Sequence, residues 1–454
     1  MNPLIFREYD IRGIADTELT DEVATQVGRA YGTYMRRHGA RHVTVGQDVR
    51  LSSPRLAGKL AEGILSTGMD VTRLGVTPTP TLYFSIDHLK VDGGVQVTGS
   101  HNPIDYNGFK MCRGMAPVYG GDIQSLGELC RRGNYETGRG TLREADVVGA
   151  YQDMLRSKIR LTAGRRIAVD AGNGVAGPVA VPVLKGMGME VHELYTEPDG
   201  RFPNHLPDPT VLKFTRDLQA LVTRAGCSVG LGWDGDADRI GAVDETGRLL
   251  YGDQLLGILA ADVLTRIPGA RVIFDVKCSQ GLEEFLKARG ASTLMWKTGH
   301  ALLKAKMKEE GAPIAGEMSG HMFFAENFYG FDDAIYASLL LLQILDRRGK
   351  KLSELAAEMP QYVSTPETRL DTTDADKFRI VAAVRDHFKK THDVLDIDGA
   401  RIRFGDGWGL VRASNTQPVL VVRFEAKTQE RLDSIKSEVM AKLAEFGVAQ
   451  ETVH

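Results

Sequence analysis

Asp234, Asp236 and Asp238 stand at spacings of two in the run Asp234-Gly235-Asp236-Ala237-Asp238-Arg239. On a helix that spacing fans carboxylates apart, but in a loop with glycine and alanine between them they can converge. Converging carboxylates repel unless a cation neutralises them, and hard oxygen ligands suit Mg²⁺ or Ca²⁺. The plainer reading is a solvated acidic turn. An EF-hand also opens this way, and Glu245 stands at its twelfth position. Its sixth position needs a glycine and here carries Arg239, and the segment before Asp234 is strand-like, so the EF-hand is rejected.

Ser100 lies in Thr98-Gly99-Ser100-His101-Asn102-Pro103, a composition that taken alone describes a turn. A lone serine hydroxyl is a weak nucleophile, whereas a phosphoserine beside a divalent ion is a workable phosphoryl donor. Glu317 and Ser319, in Gly316-Glu317-Met318-Ser319-Gly320-His321, offer an acceptor and a donor suited to sugar hydroxyls. Arg412-Ala413-Ser414-Asn415-Thr416 joins a guanidinium to hydroxyl and amide donors, which suits a dianionic phosphate or, equally, a hydrogen-bonded hairpin turn. Lys277, Arg239 and His300 (in Lys297-Thr298-Gly299-His300) could line the same cleft, although each alone reads as a surface residue.

Gly172-Asn173-Gly174-Val175-Ala176-Gly177 is a literal GxGxxG after a predicted strand, with Glu193 near the distance of a ribose-binding acid. It is the best case for a dinucleotide-dependent dehydrogenase. Asp170 just before the glycines would oppose a pyrophosphate, and that reading leaves the aspartates and Ser100 unexplained. The glycines read better as a tight strand-to-helix turn with Pro178 early in the helix.

The elements that must position these loops repeat three times. Strands are expected at Val43–Val45, Val71–Leu74 and Gly94–Val97; at Ile167–Val169, Val191–Leu194 and Ser228–Leu231; and at Val272–Phe274, Thr293–Trp296 and Pro313–Ala315. Short apolar runs alternating with helical patterns imply βαβ units. The third strand of each repeat runs into one functional loop, and sites in open α/β sheets lie at the carboxyl ends of strands. The tail differs, with strands expected at Ala400–Phe404, Gly409–Ala413 and Val419–Phe424, then a helix from about Gln429 to Glu445. The expected fold is α/β: three similar domains with mixed, mainly parallel sheets plus a C-terminal α+β domain, around a central cleft. Boundaries are placed at 1–146, 147–248, 249–361 and 362–454.

The 454 residues carry a net charge of -3, so no global field argues for nucleic acid or a membrane surface as partner. Arg7, Glu8, Asp10 and Arg12 interrupt the start where a signal peptide needs an apolar core. Cys112, Cys130, Cys227 and Cys278 show no paired spacing, so neither disulfides nor a zinc site is expected. A reduced cytoplasmic protein follows.

Tyr9-Asp10-Ile11-Arg12-Gly13, TGSHNP around Ser100, DGDADR from Asp234, GEMSGH from Gly316 and RASNTQP from Arg412 together resemble the α-D-phosphohexomutases, closest to their bacterial phosphomannomutase/phosphoglucomutase branch. The resemblance spans essentially the whole chain. It implies Ser100 as phosphoserine, Mg²⁺ on Asp234, Asp236 and Asp238 with a phosphate oxygen of Ser100, and Glu317 and Ser319 on the sugar O3 and O4 hydroxyls. Arg412, Ser414, Asn415 and Thr416 would grip the phosphate not being transferred, with Tyr9 also substrate-facing. Arg12, Lys110 and His321 match positions assigned to polarisation and acid/base work. Gly99 and Ala237 depart from the alanine and glycine often seen there, removing no functional group. The implied reaction interconverts hexose 1- and 6-phosphates of mannose or glucose, with hexose 1,6-bisphosphate as intermediate and activator, in a protein expected to be a monomer. Phosphoglucosamine mutase is the alternative on this scaffold, and Met318 leans against it.

Overall fold

The computed structural model describes residues 1–414 and 418–448. Its strands form four sheets of seven, five, four and six strands, in chain order. In the first, Asp70–Val76, His42–Gln47 and Gly93–Val97 lie parallel at the centre, with Leu142–Glu144 parallel on the edge beside Asp70–Val76. The second places Glu190–Leu194, Arg166–Asp170 and Val229–Trp233 parallel, and the third does the same with Ser292–Trp296, Arg271–Asp275 and Ile314–Gly316. Central strands such as Val229–Trp233 are buried along their whole length, which is why they read as continuous apolar runs.

Each repeat then does something the apolar runs do not announce. An antiparallel strand returns beside the third one: Tyr106–Arg113 on Gly93–Val97, Ile240–Asp244 on Val229–Trp233, and Met322–Phe324 on Ile314–Gly316. The three functional loops are therefore the connections from a parallel strand into its return strand. A further strand, Ile11–Ile14, pairs with Tyr106–Arg113 and brings Arg12 to the same sheet end.

The tail sheet is antiparallel throughout and adds Val363–Ser364, Thr368–Asp371 and Asp393–Leu395 to the expected strands. Helices Lys377–Phe388 and Gln429–Ala444 cover it, giving the expected α+β arrangement. It docks through buried charge. Arg401 donates to the carbonyls of Val276 (2.6 Å) and Cys278 (2.8 Å), while Glu425 accepts from the Gln280 amide (2.8 Å). One apolar core runs through the second and third domains and into helix Thr79–His88 of the first. No helix among the described residues is long and apolar enough to cross a membrane.

The GxGxxG turn is filled by protein. A Cβ on Gly177 would stand 1.9 Å from the Thr196 carbonyl oxygen, so close helix packing explains that glycine. Asp170 accepts from the Gly172 amide (2.8 Å) and, on its other oxygen, faces His205 Nε2 at 3.1 Å. His205 Nδ1 lies 2.9 Å from the Leu206 carbonyl oxygen, so both ring nitrogens meet acceptors and the ring is held as imidazolium. Burial works against that charge, but Asp170 outweighs it and raises the pKa above the ordinary value. A raised folded pKa gives stability that is complete below about pH 6.5 and is lost as pH rises through the folded value. His205→Gln should therefore cost roughly 1–2 kcal/mol at pH 6 and progressively less on the alkaline side. Denaturant melts across pH check this; a pH-independent difference would contradict the buried imidazolium.

Candidate active site

The Ser100 loop is built from strand ends upward. Asp48, just past strand His42–Gln47, accepts from Thr98 Oγ1 and the Gly99 amide, both at 2.9 Å. Thr98 Oγ1 accepts in turn from the Ser100 amide at 2.9 Å. Ser100 sits at φ 50°, in the left-handed region that side chains rarely adopt. Its buried Oγ donates to Asp234 Oδ2 at 2.6 Å and lies 3.1 Å from His101 Nδ1. The two loops touch backbone to backbone, since a Cβ on Gly235 would stand 2.5 Å from the Ser100 carbonyl oxygen.

Asp234, Asp236 and Asp238 do converge. One oxygen from each lies within 4.8 Å of the others, and all three residues are buried. Asp234 Oδ1 accepts the amides of Asp238 and Arg239, both at 3.0 Å. Asp236 accepts from Lys110 Nζ (2.7 Å) and from Thr79 Oγ1 (2.6 Å) at the start of helix Thr79–His88. Lys110 also donates to Asp238. Burial, then Asp236 and Asp238, push the Asp234 carboxyl well above its ordinary range. Burial opposes charge on Asp236 too, but Lys110 and Thr79 outweigh it and hold that carboxyl low. The same carboxylates raise Lys110 against its burial. Oδ1 of Asp236 and of Asp238 remain buried with no hydrogen-bond partner. Unpartnered carboxylate oxygens beside a serine hydroxyl are the donor set of a hard divalent cation, so the residues fit one.

The third loop joins the second. The Ile240 amide donates to the Gly320 carbonyl (3.0 Å), and Arg239 Nε donates to His321 Nε2 at 3.0 Å. Because Nε2 accepts from Arg239, a neutral ring carries its proton on Nδ1, which lies 2.8 Å from Asp332. Lys304 Nζ bonds the other Asp332 oxygen (3.0 Å) and Tyr83 Oη (3.0 Å). His300 stacks 5.6 Å from His321, and neither of its ring nitrogens has a partner. Burial, with Lys304 and Lys110 nearby, pushes its pKa well down. Glu317 accepts from the Gly299 amide (2.5 Å) and from Ser319 Oγ (2.9 Å), so the two expected sugar contacts hold each other.

Arg12 donates to the Gly99 carbonyl (3.0 Å) and pairs with Asp10 (2.7 Å). Tyr9 packs edge-on against His300 at 5.3 Å, and burial, then Asp10 and Glu317, push its pKa up to about 12. In the tail, Arg412 pairs with Asp398 (3.0 Å), which also accepts the Thr298 amide (3.1 Å) of the third domain. Lys277 pairs with Glu367 at 3.0 Å. Ser414 is buried, with its amide on the Val419 carbonyl (3.0 Å). Asn415 and Thr416 lie outside the described residues. Thr79, Asp332, Lys304, Asp398 and Glu367 had no motif to mark them; they reach the site from elements distant in sequence.

Family models match the chain in four consecutive pieces: phosphoglucomutase/phosphomannomutase α/β/α domain I at residues 3–124, domain II at 149–247, domain III at 251–362 and the C-terminal domain at 367–442. A phosphomannomutase/phosphoglucomutase of Pseudomonas aeruginosa is 44% identical over 434 residues, 95% of this chain and 94% of its own. A phosphoglucomutase of Neisseria gonorrhoeae is 42% identical and covers 96% of each chain. The crystal structure of a phosphoglucomutase/phosphomannomutase family protein from Burkholderia thailandensis superposes with a TM-score of 0.93 at 42% identity, covering 99% of each chain.

Removing the ammonium from the carboxylate cluster isolates its charge. Lys110→Met should lose about 3–5 kcal/mol in the presence of a chelator, the cost of leaving buried charges uncompensated. Millimolar Mg²⁺ should recover much of that loss in a thermal melt. A variant that melts like the parent in chelator would show that Lys110 does not neutralise the cluster.

Proposed function

The chain belongs to the phosphoglucomutase/phosphomannomutase family, and on that premise we propose that it interconverts hexose 1-phosphates and hexose 6-phosphates, of mannose, glucose or both. The observation that carries the reading is Ser100 Oγ held 2.6 Å from Asp234 beside two further carboxylates. PhosphoSer100 donates its phosphoryl group to the free O6 of a hexose 1-phosphate. The P–Oγ bond breaks as a P–O6 bond forms, and the O6 proton passes to a base. The resulting 1,6-bisphosphate turns over, its P–O1 bond breaks as the P–Oγ bond re-forms, and the base returns its proton to O1, leaving hexose 6-phosphate.

Asp234, Asp236 and Asp238, with a phosphate oxygen on Ser100, would hold Mg²⁺. When bound, it offsets charge on the transferring phosphoryl group. His321 is the base we assign: its Nδ1 proton faces Asp332, and its Nε2 lone pair, which accepts from Arg239 in the substrate-free site, would take the O6 proton once substrate displaces that bond. Arg12 and Lys110 polarise the transferring group, and His300, Arg239 and Tyr9 line the same face. Glu317 and Ser319 orient the sugar, while Lys277, Arg412, Ser414, Asn415 and Thr416 hold the stationary phosphate. Contacts on two separate domains allow one sugar ring to be held in two opposite orientations. Added hexose 1,6-bisphosphate would prime unphosphorylated protein.

Intact-protein mass before and after phosphatase treatment tests the carrier: a phosphate-sized difference should map to Ser100. Ser100→Ala should lose at least about 10³-fold in kcat, as removal of an attacking nucleophile does. Near-normal turnover by that variant in bisphosphate-primed assays would refute the relay.

A further inference from the structure

Beneath the Ser100 loop lies a guanidinium that the phosphoryl relay does not use. Arg50 is 1% exposed. Its Nη2 donates to the carbonyls of Ser100 (2.9 Å) and Asn102 (2.6 Å), and its Nη1 to those of Pro103 and Tyr106 (2.9 Å for Tyr106). Asp48 stands 3.5 Å from Nε, accepts the Arg50 amide (2.9 Å), and is itself fixed by Ser53. The carboxylate takes the donors at the start of the loop, Thr98 and Gly99, and the guanidinium takes the acceptors that follow.

The fit leaves little slack. A Cβ on Gly99 would stand 2.1 Å from Nε, so the guanidinium occupies the place of that side chain. A methyl group on Gly99 would collide with that guanidinium. On its far side Arg50 faces the Phe202 ring at 5.3 Å, and its backbone bridges Gly200 of the second domain. Arg50 is thus wedged between the serine loop and the domain that carries the carboxylates.

A left-handed backbone at a residue with a side chain costs about 1–3 kcal/mol and persists only where its surroundings over-determine it. At Ser100 the amide is held by Thr98 Oγ1 and the carbonyl by Arg50, so the residue is pinned on both sides. Releasing the carbonyl would let φ return to the common regions, and Oγ would leave Asp234. We propose that Arg50, braced by Asp48, is the positioning residue that imposes this conformation on Ser100 and so keeps Oγ aimed at the carboxylates. The proposal rests on Ser100 as phosphoryl carrier.

Arg50→Lys keeps the charge but replaces a planar fork with one nitrogen that cannot span these carbonyls. A displacement of the attacking atom of about 1 Å can cost ~10²-fold in rate. The variant should lose roughly 30- to 100-fold in kcat, with KM for hexose 1-phosphate within about twofold, because substrate contacts lie on other loops. Labelling of Ser100 from phosphorus-labelled hexose 1,6-bisphosphate should slow by a similar factor. Asp48→Asn should show the same split at about tenfold, and it stands in if Arg50→Lys does not fold. A folded variant that keeps kcat within threefold, labels at the parent rate, or worsens KM together with kcat overturns the proposal, and so does failure of both variants to fold. If the parent protein itself takes no label on Ser100, the carrier assignment falls instead.

Discussion

Three carboxylates held close together away from water set the terms for the rest of this molecule. Left alone, such a cluster is expensive, because each charge loses its hydration and repels the others. The fold meets that cost from several directions. Lys110 comes from the first sheet, Thr79 and the positive end of its helix from the same domain, and backbone amides of Asp238 and Arg239 from the loop itself. The cluster therefore requires the first two domains to stay in register. It also leaves oxygens without partners, which only a cation or a proton can satisfy.

The serine and histidine loops inherit their places from this requirement. Ser100 reaches Asp234 only because its loop lies backbone to backbone on Gly235, which demands an absent side chain there and an unusual backbone at Ser100. His321 reaches the site because the third loop pairs with the second at Arg239 and Ile240. Its tautomer is then set by Arg239, which donates to Nε2 and leaves the Nδ1 proton facing Asp332, itself balanced by Lys304. Burial thus decides which nitrogen can take a proton, a choice the histidine's place in a motif does not disclose.

The tail is attached differently. Arg401 and Glu425 bind main-chain groups just after strand Arg271–Asp275, while Asp398 ties Arg412 to the loop before His300. These polar contacts join an apolar one, because Trp408 and Leu410 of the tail belong to the core that the second and third domains share.

Local order alone determined a good deal. The threefold repeat, its parallel strands, the α+β tail and the loops bearing Ser100, Asp234–Asp238, Glu317 and Arg412 were all legible, because hydrophobic periodicity and turn-forming residues act over a few neighbours. Convergence of the three aspartates was legible too, since glycine and alanine separate them. The return strands beside each functional loop were not anticipated, because short buried segments such as Met322–Phe324 carry no distinguishing period. Only tertiary structure placed Lys110 between Asp236 and Asp238, Thr79 on Asp236, Asp332 behind His321, and Arg50 beneath Gly99. Each of these is a pairing between side chains far apart in the chain. Its energy depends on burial and distance, quantities fixed when the sheets pack and not by any neighbour in sequence.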